Sequence, residues 1–290
     1  MFPLSNILLP VDFSERCLGA ARYAESLAAH FQAEIALIHV VEPLHYDFGE
    51  LEFAGTVAND VLESRLAQAR QQLDAFLASE LAAARVSRVL VEGDPARCIV
   101  EYAHERQTGL IAMPTHGYGP FRRFILGSVT AKVLHDADCP VLTGVHLEEA
   151  PPLASIALRT ILCALDLGPQ SRKTLSWASQ MASEFGARLV LAHAIPSIEA
   201  RPGDYFDAGL TAEVTKGARE ELAHLQHDIA AQAETVVEGG DPPQVICRVA
   251  AAHHADLLVI GRGSAAGLFG RLRTNAYAII RQSPCPVVSV

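Results

Sequence analysis

Thr115-His116-Gly117, nine further residues and then Gly127-Ser128 make a spacing that can hold an anion. Gly117 lets backbone approach a ligand with no side chain in the way. Gly127-Ser128 stands where a helix would open, and the unpaired N–H groups and positive dipole end of such a helix favour a phosphate. Ser128 adds a hydroxyl that can also cap the helix, which is the competing structural reading of a Gly-Ser pair. Context strengthens the phosphate reading: an apolar run from Leu110 to Met113 precedes the loop, and Cys139-Pro140-Val141 follows the helix.

The elements that must position these residues occur twice. Ile7-Leu8-Leu9-Pro10-Val11-Asp12 returns as Ile161-Leu162-Cys163-Ala164-Leu165-Asp166, each an apolar run closed by an aspartate ahead of an amphipathic helix. His39-Val40 returns as His193-Ala194, Gly93-Asp94-Pro95 as Gly240-Asp241-Pro242, and Cys139-Pro140-Val141 as Cys285-Pro286-Val287. A tandem duplication of one fold of roughly 145 residues follows, a size that buries a single core. The acid- and proline-containing stretch from Leu147 to Ala154 reads as a linker, giving domains at 1–146 and 159–290 joined by 147–158.

Apolar runs alternate with helical patterns in both halves. In the first, strands are expected near 6–11, 33–41, 86–91, 110–113 and 140–145, with helices near 14–31, 56–84 and 95–106 and one after Gly127. In the second, strands are expected near 160–165, 187–194, 234–238, 256–260 and 286–290, with helices near 170–186, 211–232, 242–254 and 275–282. Strands alternating with helices imply an α/β chain with two tandem doubly wound, parallel sheets.

Half of the 290 residues are apolar, as in a packed globular protein. With 23 basic against 33 acidic side chains, the formal charge of -10 argues against a protein held to nucleic acid by phosphate neutralisation. The six cysteines contain no C-x-x-C pair and read as small core residues of a reducing compartment. No apolar run reaches membrane-span length and no basic-then-apolar leader opens the sequence, so a cytoplasmic protein is expected, with no membrane partner.

On these motifs both halves resemble the universal stress protein family. The family's ATP signature is Gly, two residues, Gly, nine residues, then Gly with Ser or Thr. Here Pro114 stands at the first position, and Gly117 and Gly127-Ser128 fit the rest. The resemblance implies a five-stranded, mostly parallel sheet flanked by helices in each half, and ATP or a related adenine nucleotide, with or without Mg2+, as the ligand. It implies that Pro10, Val11, Asp12 and Val40 hold adenine and ribose, that Met113, His116 and Gly117 line the ribose and phosphate side, and that Gly127, Ser128 and Val129 present donors to the phosphates. It also implies pairing of the last strands, so that the two domains form a pseudo-dimer within the chain, with a homodimer of chains as a further possibility.

The residues themselves leave alternatives open. Asp12 also suits a helix cap. His39 and His193 read as satisfied core histidines, whereas His116 sits in the loop and is assigned to binding. Arg122 and Arg123 suit either a polyphosphate or solvent. In the second half, aligning Cys285 with Cys139 sets Gly263 opposite Gly117, Arg273 opposite Gly127 and Thr274 opposite Ser128, while Gly261 closes the preceding strand. Asp166, Gly261, Gly263 and Thr274 are therefore the residual candidates of a degenerate site. With no lysine in the glycine loops and no evident nucleophile and base pair, a regulatory binding protein with an unidentified protein partner is the preferred reading. A slow ATP hydrolase using His116 and a scaffold that binds no nucleotide are the rivals.

Overall fold

The computed structural model describes residues 4–43, 54–116, 126–144, 152–153, 156–195, 208–262 and 271–290. Two compact units divide the chain, one built on Pro3–Leu142 and the other on Ala157–Val290.

The first unit runs β1 (Asn6–Pro10), α1 (Cys17–Phe31), β2 (Glu34–Val41), α2 (Ala54–Ala75), β3 (Arg85–Glu92), α3 (Pro95–Glu105), β4 (Leu110–Ala112), α4 (Ser128–Asp136) and β5 (Val141–Thr143). Its strands lie in the order β3-β2-β1-β4-β5, and every pair is parallel. Parallel strands covered by helices on both faces must be apolar throughout. Accordingly Ile7, Leu8 and Leu9 of β1 and Leu110, Ile111 and Ala112 of β4 are all buried. Fully burying each Leu or Ile side chain contributes about 1.5–3 kcal/mol.

Helix boundaries follow local chemistry more than periodicity. The helix expected from residue 14 starts at Cys17, because Asp12 Oδ1 accepts from both the backbone N–H and the hydroxyl of Ser14 and holds Phe13 at a φ of 65°. The long helix expected to reach residue 84 stops at Ala75. Arg88 Nε donates to the carbonyl of Leu73 at 2.8 Å and its Nη2 to that of Phe76 at 3.3 Å, while Leu77 turns left-handed at φ 54°. The closing strand expected over 140–145 narrows to Val141–Thr143.

The second unit repeats the plan with β6 (Thr160–Ala164), α5 (Ser171–Phe185), β7 (Arg188–Ile195), α6 (Ala208–Asp228), β8 (Glu234–Gly239), α7 (Pro242–Ala252), β9 (Leu257–Ile260), α8 (Arg271–Gln282) and β10 (Val287–Ser289). Its order, β8-β7-β6-β9-β10, is again all parallel and matches the first unit strand for strand. Each chain segment therefore folds as the doubly wound α/β layer that the alternating pattern implied. In each unit the order reverses at its first strand, so the carboxyl ends of β1 and β4, and of β6 and β9, flank the crevice where such sheets take ligands. Among the described residues, no helix is long and apolar enough to cross a membrane.

Candidate functional site

A cavity of about 710 Å3 opens at the carboxyl ends of β1, β2 and β4. Pro10, Val11, Asp12, Val40, Met113, His116, Gly127, Ser128 and Val129, drawn from four separate stretches of sequence, all line it. Its size falls in the range of small-molecule sites. Gly117 and the arginines Arg122 and Arg123 lie outside the described residues, as do the aromatic and acidic loops 45–53 and 204–207.

Asp12 is built into a turn. Its Oδ1 accepts from Ser14 N at 3.0 Å, Ser14 Oγ at 2.6 Å and the Cys17 thiol at 3.2 Å. It is not the N-cap of α1, a position held by Arg16. The carboxylate is fixed by this network while remaining half-exposed on the cavity wall. The Cys17 thiol is pushed up to about 12, first by burial and then by the charge of Asp12, so it stays protonated and donates.

His39 is satisfied as expected, but on the cavity wall instead of deep in the core. It is half-buried and lines the cavity, and its Nδ1 lies 2.8 Å from the carbonyl oxygen of Val11. A carbonyl only accepts, so Nδ1 carries the hydrogen and the bond fixes the ring at the end of β2. Phe13 packs over it, ring centroids 4.1 Å apart.

On the β4 side, Thr115 Oγ1 and His116 Nδ1 are 2.9 Å apart, and Gly127 N–H donates to the Thr115 carbonyl at 2.8 Å. Gly127, rather than Ser128, is the N-cap of α4, with an extended backbone at φ -61°. Its lack of a side chain matters through contact: a Cβ there would lie 3.2 Å from His116 Cα and 3.3 Å from the Thr115 oxygen. Ser128 is the first helical residue, and the first helical hydrogen bond runs from Ala131 N to Gly127 O. The backbone N–H groups of Ser128, Val129 and Thr130 precede that bond and have no acceptor within the helix. They form a donor set with the dipole sign an anion requires. Thr130 is buried and bonds back to the Pro114 carbonyl at 3.1 Å, pinning the loop to the helix.

The second unit keeps one half of this arrangement. Asp166 Oδ1 accepts from Gly168 N at 2.9 Å and Ser171 Oγ at 3.2 Å, Leu167 repeats the positive φ at 58°, and His193 Nδ1 lies 2.7 Å from the Leu165 carbonyl. The β9 side differs. Gly261 closes on α5, where a Cβ would meet Thr174 Oγ1 at 3.0 Å. The helix expected from 275 begins at Arg271, which makes Thr274 its fourth residue where Ser128 is the first of α4. A fourth helical N–H already belongs to the intrahelical ladder, so Thr274 does not reproduce the donor role of Ser128. Gly263 lies outside the described residues.

Comparison with known proteins decides the family. A model of the universal stress protein family matches residues 3–143 and again 157–290. The chain belongs to the universal stress protein family. A universal stress protein of Methanocaldococcus jannaschii is 32% identical over 137 residues, 47% of this chain and 79% of its own length. One from Mycolicibacterium smegmatis is 26% identical over 299 residues, covering 98% of this chain and 96% of its own. The crystal structure of a universal stress protein from Archaeoglobus fulgidus shares the fold at a TM-score of 0.64 and 21% identity, across 99% of this chain and 96% of that one.

Within this universal stress protein fold, the cavity residues absent from the sequence candidates include three polar side chains of α2, Arg65, Gln68 and Gln72. Their i, i+3, i+7 spacing was visible, but polar residues at that spacing ordinarily describe a solvated helix face. Only the position of α2 beside β2 brings them to the cavity wall. Among the described residues, no group of three or more His, Cys, Asp or Glu side chains converges as a metal site.

Proposed function

We propose that this chain is a regulatory stress-response protein that binds ATP or a related adenine nucleotide in its first unit. The observation carrying the proposal is the single cavity that joins the Asp12 carboxylate at the end of β1 to the first-turn N–H groups of α4 beyond β4. The donor chemistry fits: Ser128, Val129 and Thr130 supply N–H groups to phosphates, the Ser128 hydroxyl adds another donor, and Asp12 with Val40 faces the nucleoside. A bound Mg2+ would arrive on the phosphates, as this ion commonly does, rather than in a protein cage. The bound nucleotide would supply no chemistry of its own. Its presence between Asp12 and the start of α4 would be the signal a partner protein reads in the cytoplasm.

The second unit is proposed to bind such a ligand poorly or not at all, since Asp166 retains its turn while α8 begins earlier than α4. Calorimetric titration of the full chain with Mg·ATP tests both statements. One molecule per chain, lost in a Gly127→Arg variant that copies Arg273, is the expected result. Two equivalent sites would overturn the asymmetry, and no binding at millimolar Mg·ATP would overturn the function. Mass spectrometry of ligand carried through gentle purification would identify the nucleotide.

A further inference from the structure

We infer that Arg65 selects a second anionic group at the nucleoside end of the ligand, so that the cavity favours an adenosine bisphosphate, phosphorylated on a ribose hydroxyl as well as at the 5′ position. The inference rests on the nucleotide reading above and concerns the opposite wall of the same cavity. Among the described lining residues the acidic side chains are Asp12 and Glu42 and the one fixed cation is Arg65. It does not stand beside α4. Its Nη1 donates to the Glu42 carbonyl at 3.2 Å, immediately past the end of β2.

Strand order sets the separation. β2 and β4 flank β1 on opposite sides, so the ends of β2 and β4 lie two strand spacings, about 9–10 Å, apart. A nucleotide whose 5′ phosphates meet the N-terminus of α4 must extend its nucleoside across β1 toward β2, and its ribose hydroxyls or base edge then face α2. Buried Ala69 and Leu73 fix the rotation of α2, and Arg65, Gln68 and Gln72 form the polar stripe that remains on the cavity side. A guanidinium has five N–H donors, of which the Glu42 carbonyl takes one, and the two amides can add theirs to the same oxygen-rich group.

The test is calorimetric titration of the full chain with AMP and with adenosine 3′,5′- and 2′,5′-bisphosphates, for the wild type, Arg65→Gln and Arg65→Lys. A charge-assisted contact predicts that wild type binds one bisphosphate about tenfold more tightly than AMP. Arg65→Gln should bring that ratio near one, and Arg65→Lys should keep part of the preference. Equal affinity of wild type for AMP and both bisphosphates would overturn the inference. So would an Arg65→Gln variant that weakens AMP and bisphosphate alike, because Arg65 would then serve the 5′ chain. If AMP, ATP and the bisphosphates all fail to bind wild type, the nucleotide reading falls first, an outcome distinct from the other two.

Discussion

His39 is tied to Val11 by a 2.8 Å hydrogen bond from Nδ1 to the carbonyl oxygen, and His193 is tied to Leu165 in the same way at 2.7 Å. In both units the imidazole of the second strand holds the end of the first strand just before the aspartate. Removing the ring leaves a part-buried carbonyl without its donor, which costs about 1–3 kcal/mol. His39→Ala and His193→Ala should therefore lower the urea unfolding midpoint to a similar degree. Only His39→Ala should also weaken Mg·ATP binding, since Asp12 follows the strand end it fixes.

Gly127 supports a second prediction. A methyl group at this position would press on backbone atoms of Thr115 and His116 at 3.2–3.3 Å, and backbone cannot rotate aside as a flexible side chain can. Gly127→Ala should cost about 1–3 kcal/mol through overpacking and should displace the His116 loop from the end of α4. Nucleotide affinity, measured by calorimetry at a temperature where the variant remains folded by circular dichroism, should fall by more than that of Ser128→Ala.

Much of this was legible in the sequence, for identifiable reasons. Parallel strands buried on both faces leave unbroken apolar runs such as Ile7-Leu8-Leu9, and the duplication displayed each run twice, so the strand and helix order was readable. Asp12, Met113 and Ser128 were readable because ligands meet such sheets at strand ends and helix starts. Helix limits were harder, because side chains distant in sequence set them: Arg88 closes α2 from β3. Arg65 was harder still. Its chemistry is that of any surface arginine until the β2-α2 packing brings it to the cavity. His39 is satisfied, as expected of it, by the Val11 carbonyl, but an apolar strand pattern does not reveal that its end opens onto a crevice.

The buried thiols give a pH prediction. Burial pushes Cys17 and Cys285 up to about 12 and Cys247 up to about 11, and it raises Cys163 as well. Their folded values stand above the unfolded value of 9.0, so above that pH the unfolded chain releases protons that the folded chain keeps. The resulting stability is fully present below pH 9.0 and is lost as pH rises toward about 12. The urea midpoint should thus fall between pH 8.5 and 10.5, more gently in Cys163→Ala. At pH 8 the buried Cys17, Cys163 and Cys285 should resist a disulfide reagent in the native chain and react in urea, with half-buried Cys247 reacting before them.

Asp94 and Asp241 occupy the same place, the N-caps of α3 and α7, with different bonding. Asp94 accepts from Arg97 N at 2.9 Å, whereas Asp241 makes no side-chain cap bond. The Arg97 N–H, with Lys132 nearby at 3.5 Å, holds the Asp94 carboxyl below its ordinary value. A carboxylate with a lowered folded value stabilises the fold above its unfolded value, about 3.9, and that stability is lost as pH falls through the lowered one. Asp94→Ala should therefore be more destabilising than Asp241→Ala at pH 7. The gap between Asp94→Ala and wild type should close as the pH is taken down through that range, read as the difference in their urea midpoints. A gap that persists unchanged to pH 2 would assign the effect to helix propensity instead of the charged cap.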